Sequence, residues 1–376
     1  MQIEKEFADW AETKLVKVIE KIHVEIQRLG EKIPYIPYDG RYTDVAEERG
    51  IDWWTNGFWS GILWQLYHAT GENLFAQTAI GQESRLNQVL YQFKDVHHDV
   101  GFLFLPSAVA HYQLLGDEQA FRTGLHAANV LAGRFNIDGN YIVAWNDQRP
   151  GWAIIDSMMN LPLLYWASEQ TQDPRFKKIA CRHANTIGKY LVRKDGTVGH
   201  IASFNAENGD FIEQIGGQGF AADSVWSRGN AWAIYGFALS YRHTKNEEYL
   251  ALAKKVANNF IVSIVDTNYV PKVDFFAPEE PEIYDTSAGM CAVCGLLELA
   301  EWVSPSERKS YQQAAFKIIR AIEEKYADWS LESDGIITGG TEAYHRPSTY
   351  HVPLIYADYF FIEGLLRLLN KELLIW

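Results

Sequence analysis

Two acidic residues in apolar surroundings are the first candidates for chemistry. Asp156 lies within Gly151-Trp-Ala-Ile-Ile-Asp-Ser-Met-Met-Asn-Leu-Pro162, with hydrophobic neighbours on both sides. An ionised carboxylate in such a run is costly to bury, so it must be paired, hydrated or protonated. Asp99, in His97-His-Asp-Val-Gly-Phe102, repeats the arrangement just before a second apolar stretch. Each has a plainer reading as a helix N-cap, since Asp caps well and an apolar run follows. Their equivalent placement favours a carboxylate pair across a cavity, a combination suited to general acid and base work.

Further polar and aromatic residues fall in similar places. Trp54 and Asn56 lie in Asp52-Trp-Trp-Thr-Asn56, His98 adjoins Asp99, and Trp145 precedes the Asp156 run. Gln218, Arg228 and Trp232 fall together in the 218–232 stretch, with His200 a little before it. Arg228 suits a charge-assisted contact with an anionic group; its plainer role is to pair with Asp223. The tryptophans read either as sugar-stacking faces or as core. His97, His98 and His200 are a weak metal pattern without a clear further ligand set, and no metal or cofactor is expected. There is no Gly-rich phosphate loop and no G-x-S-x-G elbow.

The elements that must hold these residues repeat six times. Segments 56–67, 101–112, 156–167, 228–239, 286–297 and 357–368 are apolar nearly all round and rich in small residues, as fully buried helices are. Between them, spans 3–29, 73–94, 118–135, 174–193, 247–264 and 306–326 carry charge on one face only. Short turns such as Thr70-Gly-Glu-Asn73 and Thr171-Gln-Asp-Pro174 mark the starts of several outer helices. Six hairpins with buried inner members close most simply into a ring. The expected fold is therefore all-α, an (α/α)6 barrel, with an open α-solenoid as runner-up. Small hairpins are expected at Tyr141-Ile-Val-Ala144 and near Ile336-Ile337. No linker divides the chain, so residues 1–376 read as one domain. The inner helices run parallel, so six N-termini and their dipoles share one mouth, which favours an anionic ligand.

Composition narrows the classes. The 376 residues are 47% hydrophobic and 14% aromatic, with 13 Trp, so a large core is available. A net charge of −14 disfavours nucleic acid as a partner. No run is long enough to span a membrane and no leader is visible, so a cytoplasmic protein, monomeric or homodimeric, is the expectation. Cys181, Cys291 and Cys294 suggest no disulfide framework, and the C-x-x-C pair reads as buried helix.

The chain resembles the unsaturated glucuronyl hydrolases of glycoside hydrolase family 88. The motifs are Thr55-Asn-Gly-Phe-Trp-Ser-Gly61, His97-His-Asp-Val-Gly-Phe102, Ile154-Ile-Asp-Ser157 with Asn160-Leu-Pro-Leu163, and Trp226-Ser-Arg-Gly-Asn-Ala-Trp232. The resemblance implies an (α/α)6 barrel that removes the 4,5-unsaturated uronic acid left at the non-reducing end by polysaccharide lyases. It implies Asp156 as catalytic acid/base and Asp99 as its essential partner. Trp54, Asn56, His98, Trp145, His200, Gln218, Arg228 and Trp232 are the implied substrate contacts. The implied partner is an unsaturated acidic oligosaccharide, sulfated or not. The chain departs from the family in carrying Gly217 where a His precedes the matched Gln. It also lacks the Ser-x-x-Ser-x-Lys pattern of members that take sulfated substrates; Arg346-Pro-Ser-Thr349 does not fit it. The related family 105 rhamnogalacturonyl hydrolases share the fold and the acidic pair, but the 226–232 stretch argues for family 88. A non-catalytic acidic-sugar-binding protein or an interaction scaffold on the same fold would not need both aspartates.

Overall fold

A computed structural model describes residues 2–91 and 96–376. Six inner helical segments lie where the apolar repeats predict them: Phe58–Thr70, Val100–Leu115, Leu161–Thr171, Ser227–Thr244, Thr286–Ala300 and Ile355–Leu369. The outer helices are Gln2–Leu29, Asn73–Leu86, Glu118–Ala132, Pro174–Tyr190, Glu247–Ser263 and Pro305–Tyr326. The expected 73–94 helix continues as a 3-10 turn over Asn87–Tyr91, and its positions 92–94 lie outside the described residues. Each inner segment packs on the next, and the sixth packs on the first. The ring is closed, an (α/α)6 barrel rather than an open solenoid.

Hairpin turns follow from local chemistry. Five inner helices end with a left-handed residue, at Gly71, Gly116, Gln172, Lys245 and Asn370. This reverses the chain within one or two residues. Three of the outer helices that follow are capped by a side chain that accepts a backbone N–H, from Asp117, Asp173 and Asn246. Ser304 and Glu307 form a reciprocal capping box for a fourth. Each such cap is worth about 1 kcal/mol.

Local structure departs from plain helical hairpins in a few places. The second inner segment takes a π-helical turn over Leu105–Val109. Pro106 supplies the reason, since it lacks an N–H and cannot continue the i→i−4 ladder. Phe135–Asn136 pairs with Tyr141–Ile142 as the expected hairpin. Ile336-Ile337 does not form one: Ile337 makes only an isolated bridge to Ala327. The reason is Asp358, whose carboxylate takes the N–H groups of Ile336 and Ile337. No helix among the described residues is long and apolar enough to cross a membrane.

Candidate active site

A three-stranded antiparallel sheet, absent from the sequence expectations, brings Asp156 to its neighbours. Trp152–Ile154, Ile201–Phe204 and Phe211–Ile215 pair in that order, with Ile154 opposite Ile201. One step on, the Ile155 N–H donates to the His200 carbonyl at 3.1 Å. The register therefore delivers Asp156 beside His200, whose Nε2 lies 3.5 Å from Asp156 Oδ2. Asp156 sits in a 3-10 turn, Ile155–Met159, just before the third inner helix. Its Oδ2 is buried without a hydrogen-bond partner among the described residues.

Asp99 occupies an N-cap position, yet its side chain makes no capping bond. His98 Nε2 lies 3.0 Å from one carboxylate oxygen and His97 Nδ1 lies 3.3 Å from the other. His98 Nδ1 faces the Ala144 carbonyl at 2.7 Å, and a carbonyl only accepts, so this nitrogen carries a proton. Burial opposes a charged His98, but Asp99, helped by Asp156, outweighs it and raises the pKa. Burial likewise favours a neutral Asp99, yet His98 and His97 hold it far below the ordinary carboxylate range. Asp99 is thus held as an anion beside a histidine biased toward its protonated form. His97, His98 and Asp99 offer ligand atoms within 4.8 Å of one another, with the two ring nitrogens lying against the Asp99 carboxylate. His200, the third member of the weak metal pattern, lies against Asp156 instead.

Asn160 ties the two aspartates together, a role sequence reasoning missed. Its Nδ2 donates to Asp99 Oδ1 (3.3 Å) and to the Asp156 carbonyl (3.2 Å), and its Oδ1 accepts the Phe102 N–H (2.7 Å). Gly101 lets this happen, because a Cβ there would lie 2.5 Å from Asn160 Oδ1. The available signal was the spacing: four residues beyond Asp156, a polar side chain falls on the same side of a helical turn.

Gln218 donates its backbone N–H to His200 Nδ1 (3.0 Å) and its side-chain Nε2–H to the Glu342 carbonyl (2.9 Å). Arg228 pairs with Asp285, not Asp223. It points across to the start of the next inner helix, where it also donates to Ser287 and to the Thr341 and Glu342 carbonyls. Burial works against its charge, but Asp285 more than compensates and raises the pKa. Among the described residues no acceptor meets its Nε, so only part of the guanidinium is free for a ligand. Its planar face lies over Trp226 and Tyr356.

The aromatic candidates divide. Trp54 is half-buried against Phe102 and Tyr356. Trp232 is fully buried between Phe102 and Phe360, so it is wall rather than a stacking surface, with an unpartnered Nε1. Trp145 stands edge-on to His98 and carries the Arg149 guanidinium 4.6 Å from its ring centre. Asn56 turns its Nδ2 back onto the Gly50 and Ile51 carbonyls, leaving Oδ1 unpartnered. Asp99, Asn160, Asp156, His200, Trp226, Arg228, Tyr356, Trp54, Phe102 and Trp232 form one contiguous chain of contacts. Several of its buried polar atoms have no partner among the described residues, which suits a polar ligand.

Comparisons with known proteins show the family. The family model Glycosyl Hydrolase Family 88 matches residues 26–338. An unsaturated glucuronyl hydrolase of Bacillus sp. (strain GL1) is 37% identical, over 91% of this chain and 92% of its own length. An unsaturated chondroitin disaccharide hydrolase of Streptococcus agalactiae is 29% identical, over 97% of this chain and 93% of its own. The chain is also similar in shape to a crystal structure of an Asp→Asn mutant of Streptococcus agalactiae unsaturated glucuronyl hydrolase complexed with dGlcA-GalNAc6S. There the TM-score is 0.84 at 27% identity, covering 98% of this chain and 94% of that one.

Proposed function

The chain belongs to glycosyl hydrolase family 88, and on that premise we propose that Asp156 protonates C4 of a 4,5-unsaturated uronide while Asp99 stays ionised beside it. The enzyme is a glycosidase that removes the unsaturated uronic acid from the non-reducing end of lyase-generated oligosaccharides. One observation carries the assignment of roles. Asp99 is held directly by two histidines and Asn160, whereas among the described residues no Lys or Arg forms an ion pair with the Asp156 carboxylate, whose nearest basic group is His200 at 3.5 Å.

Such a substrate is an enol ether rather than an ordinary glycoside. Two carboxylates around an anomeric oxocarbenium ion would serve the ordinary case. Here the Asp156 proton moves to C4, and positive charge develops at C5 with the ring oxygen sharing it. Asp99 favours that charge as a nearby anion. Water adds its oxygen to C5 and returns a proton to Asp156. The hemiketal then opens and expels the neighbouring sugar. His200, 3.5 Å away, lies beside the Asp156 carboxylate through both proton transfers.

Unsaturated chondroitin disaccharides, sulfated and unsulfated, are the first substrates to try, because relatives are named for them or bind them. The proposal includes action as a monomer or homodimer in the cytoplasm, which the three free cysteines suit. Purified protein should consume the conjugated ultraviolet absorbance of such a disaccharide as a keto-sugar appears. No loss across a panel of lyase digests would overturn the reading and leave a sugar-binding protein. Preference for a rhamnogalacturonan digest would move the chain toward family 105 chemistry.

A further inference from the structure

His183 lies outside the site, on the outer helix Pro174–Tyr190, and is completely buried. Its Nδ1 meets the Ile142 N–H at 2.8 Å and its Nε2 meets Ser157 Oγ at 2.6 Å. A backbone N–H can only donate, so Nδ1 holds the lone pair and Nε2 holds the proton. Nε2–H therefore donates to Ser157 Oγ, and the serine hydroxyl donates to the Ile154 carbonyl at 2.5 Å. The direction of every link is fixed. A serine against a histidine invites reading as a nucleophile and its base, but here the imidazole proton points at the serine oxygen. Burial pushes the His183 pKa down to about 3, with the charge of His98 adding to it, so the ring stays neutral near neutral pH.

The same strand segment reaches Asp99. Two residues beyond Ile142, the Ala144 carbonyl accepts both the backbone N–H (3.1 Å) and the Nδ1–H (2.7 Å) of His98. Residues 142–144 thus hold His98, which pairs with Asp99, and through His183 they hold the turn that carries Asp156.

We propose that His183 and Ser157 are a positioning pair: their hydrogen-bonded chain fixes the Ile155–Met159 turn so that the Asp156 carboxyl keeps its place relative to Asp99. This rests on the reading of Asp156 as proton donor. A misplacement of about 1 Å costs on the order of 100-fold in rate. Ser157→Ala, which deletes one oxygen, should therefore lower kcat by roughly 10- to 100-fold with KM nearly unchanged. His183→Phe should do the same, and the double variant should lose no more than the worse single variant. The 15N spectrum of His183 should show Nε2 protonated and Nδ1 bare.

Asp156→Asn is measured alongside. If it is inactive while Ser157→Ala keeps wild-type kcat and only melts earlier, the pair is structural packing and the proposal fails. If Asp156→Asn keeps turnover, the proton-donor reading fails and takes the proposal with it. Should His183→Phe not fold, Ser157→Ala decides alone.

Discussion

His200 presents Nε2 to Asp156 Oδ2 at 3.5 Å in a tautomer that the backbone dictates. The Gln218 N–H donates to Nδ1, so the proton sits on Nε2, the nitrogen nearer the carboxylate, although the two make no hydrogen bond. Gly217 makes this approach possible. A Cβ at that position would lie 2.1 Å from His200 Nδ1. The glycine therefore does more than leave out a substrate contact: any side chain there must push the imidazole aside.

Gly217→Ala should accordingly lower kcat on every unsaturated disaccharide rather than shift preference among them. A loss of about 10- to 100-fold fits displacement of a group beside the proton donor. The His200 15N signals should lose the pure Nε2–H pattern. Unchanged kcat together with altered preference would mean that position 217 touches the sugar directly. Gly217→His carries the same clash, so any change of preference it gives must be read against that loss.

Asn160→Ala should damage both stability and rate. It would orphan the buried Phe102 N–H, a penalty of about 1–3 kcal/mol. It would also free the Asp99 carboxylate from the Asp156 turn. Asn160→Asp is the sharper test, because it sets a second acid beside Asp99 without changing the side-chain size. Denaturant unfolding and kcat should both fall for Asn160→Asp; wild-type turnover would show that the bridge is dispensable.

The barrel was legible because its signals are local and repeated. All-round apolar helices, amphipathic partners and left-handed turns such as Gly71 and Gly116 recur along the chain. The two aspartates were legible as acids in apolar runs. What could not be read are pairings across long sequence gaps. Arg228 finds Asp285, 57 residues away, rather than Asp223. Asn160 meets Asp99 across 61 residues. Neither pairing leaves a period in the sequence. The sheet was missed for another reason: Ile201–Phe204 is buried on both faces, so its residues do not alternate. Arg149 over Trp145 was equally invisible, and it occupies part of a face read as a sugar platform.

Asp156→Asn and Asp99→Asn should each cost roughly 100- to 10,000-fold in kcat, the range for general acid–base groups. They should differ in a second readout. Asp99→Asn removes the main interaction raising the His98 pKa, so the His98 titration followed by NMR should move down. Asp156→Asn should move it in the same direction by less. If Asp99→Asn lowered only Tm, Asp99 would be a structural anchor for His97, His98 and Asn160 rather than a catalytic group.

Stability should decline as pH rises toward the alkaline side, and Glu25 is a main cause. Burial, aided by Asp358 and Asp334 against the opposing Gly335 N–H and Lys21, raises its pKa from 4.5 to about 8. Asp358 is raised from 3.8 to about 6, chiefly by burial. A raised folded pKa means that the native state holds extra protons. Its contribution is full below the unfolded pKa and is lost as pH climbs through the folded one. The depressed Asp99 works in the opposite sense, but its contribution changes only in acid. Tm should therefore fall between about pH 5 and pH 9, and Glu25→Gln should flatten that fall. A wild-type slope in the Glu25→Gln variant would place the titration elsewhere.

The label left in the product tests the reaction itself. If Asp156 protonates C4, the alkene is consumed in the first chemical step. Carboxyl protons exchange with solvent, so in heavy water the product should carry one deuterium at C4. Ultraviolet absorbance should vanish as the sugar is released, and a saturated glucuronide of the same aglycone should survive. Direct attack at the anomeric carbon requires the reverse: no early label at C4, and turnover of saturated substrates. The keto product can exchange neighbouring positions by enolisation, so the label must be read at the first time points by NMR. One stereospecific deuterium at C4, absent with Asp156→Asn, is the expected result. Cleavage of saturated glucuronides at a comparable kcat/KM would remove the C4 mechanism, and with it the reason for leaving one aspartate without a hydrogen-bonded partner on its Oδ2 while its neighbour is held between two histidines.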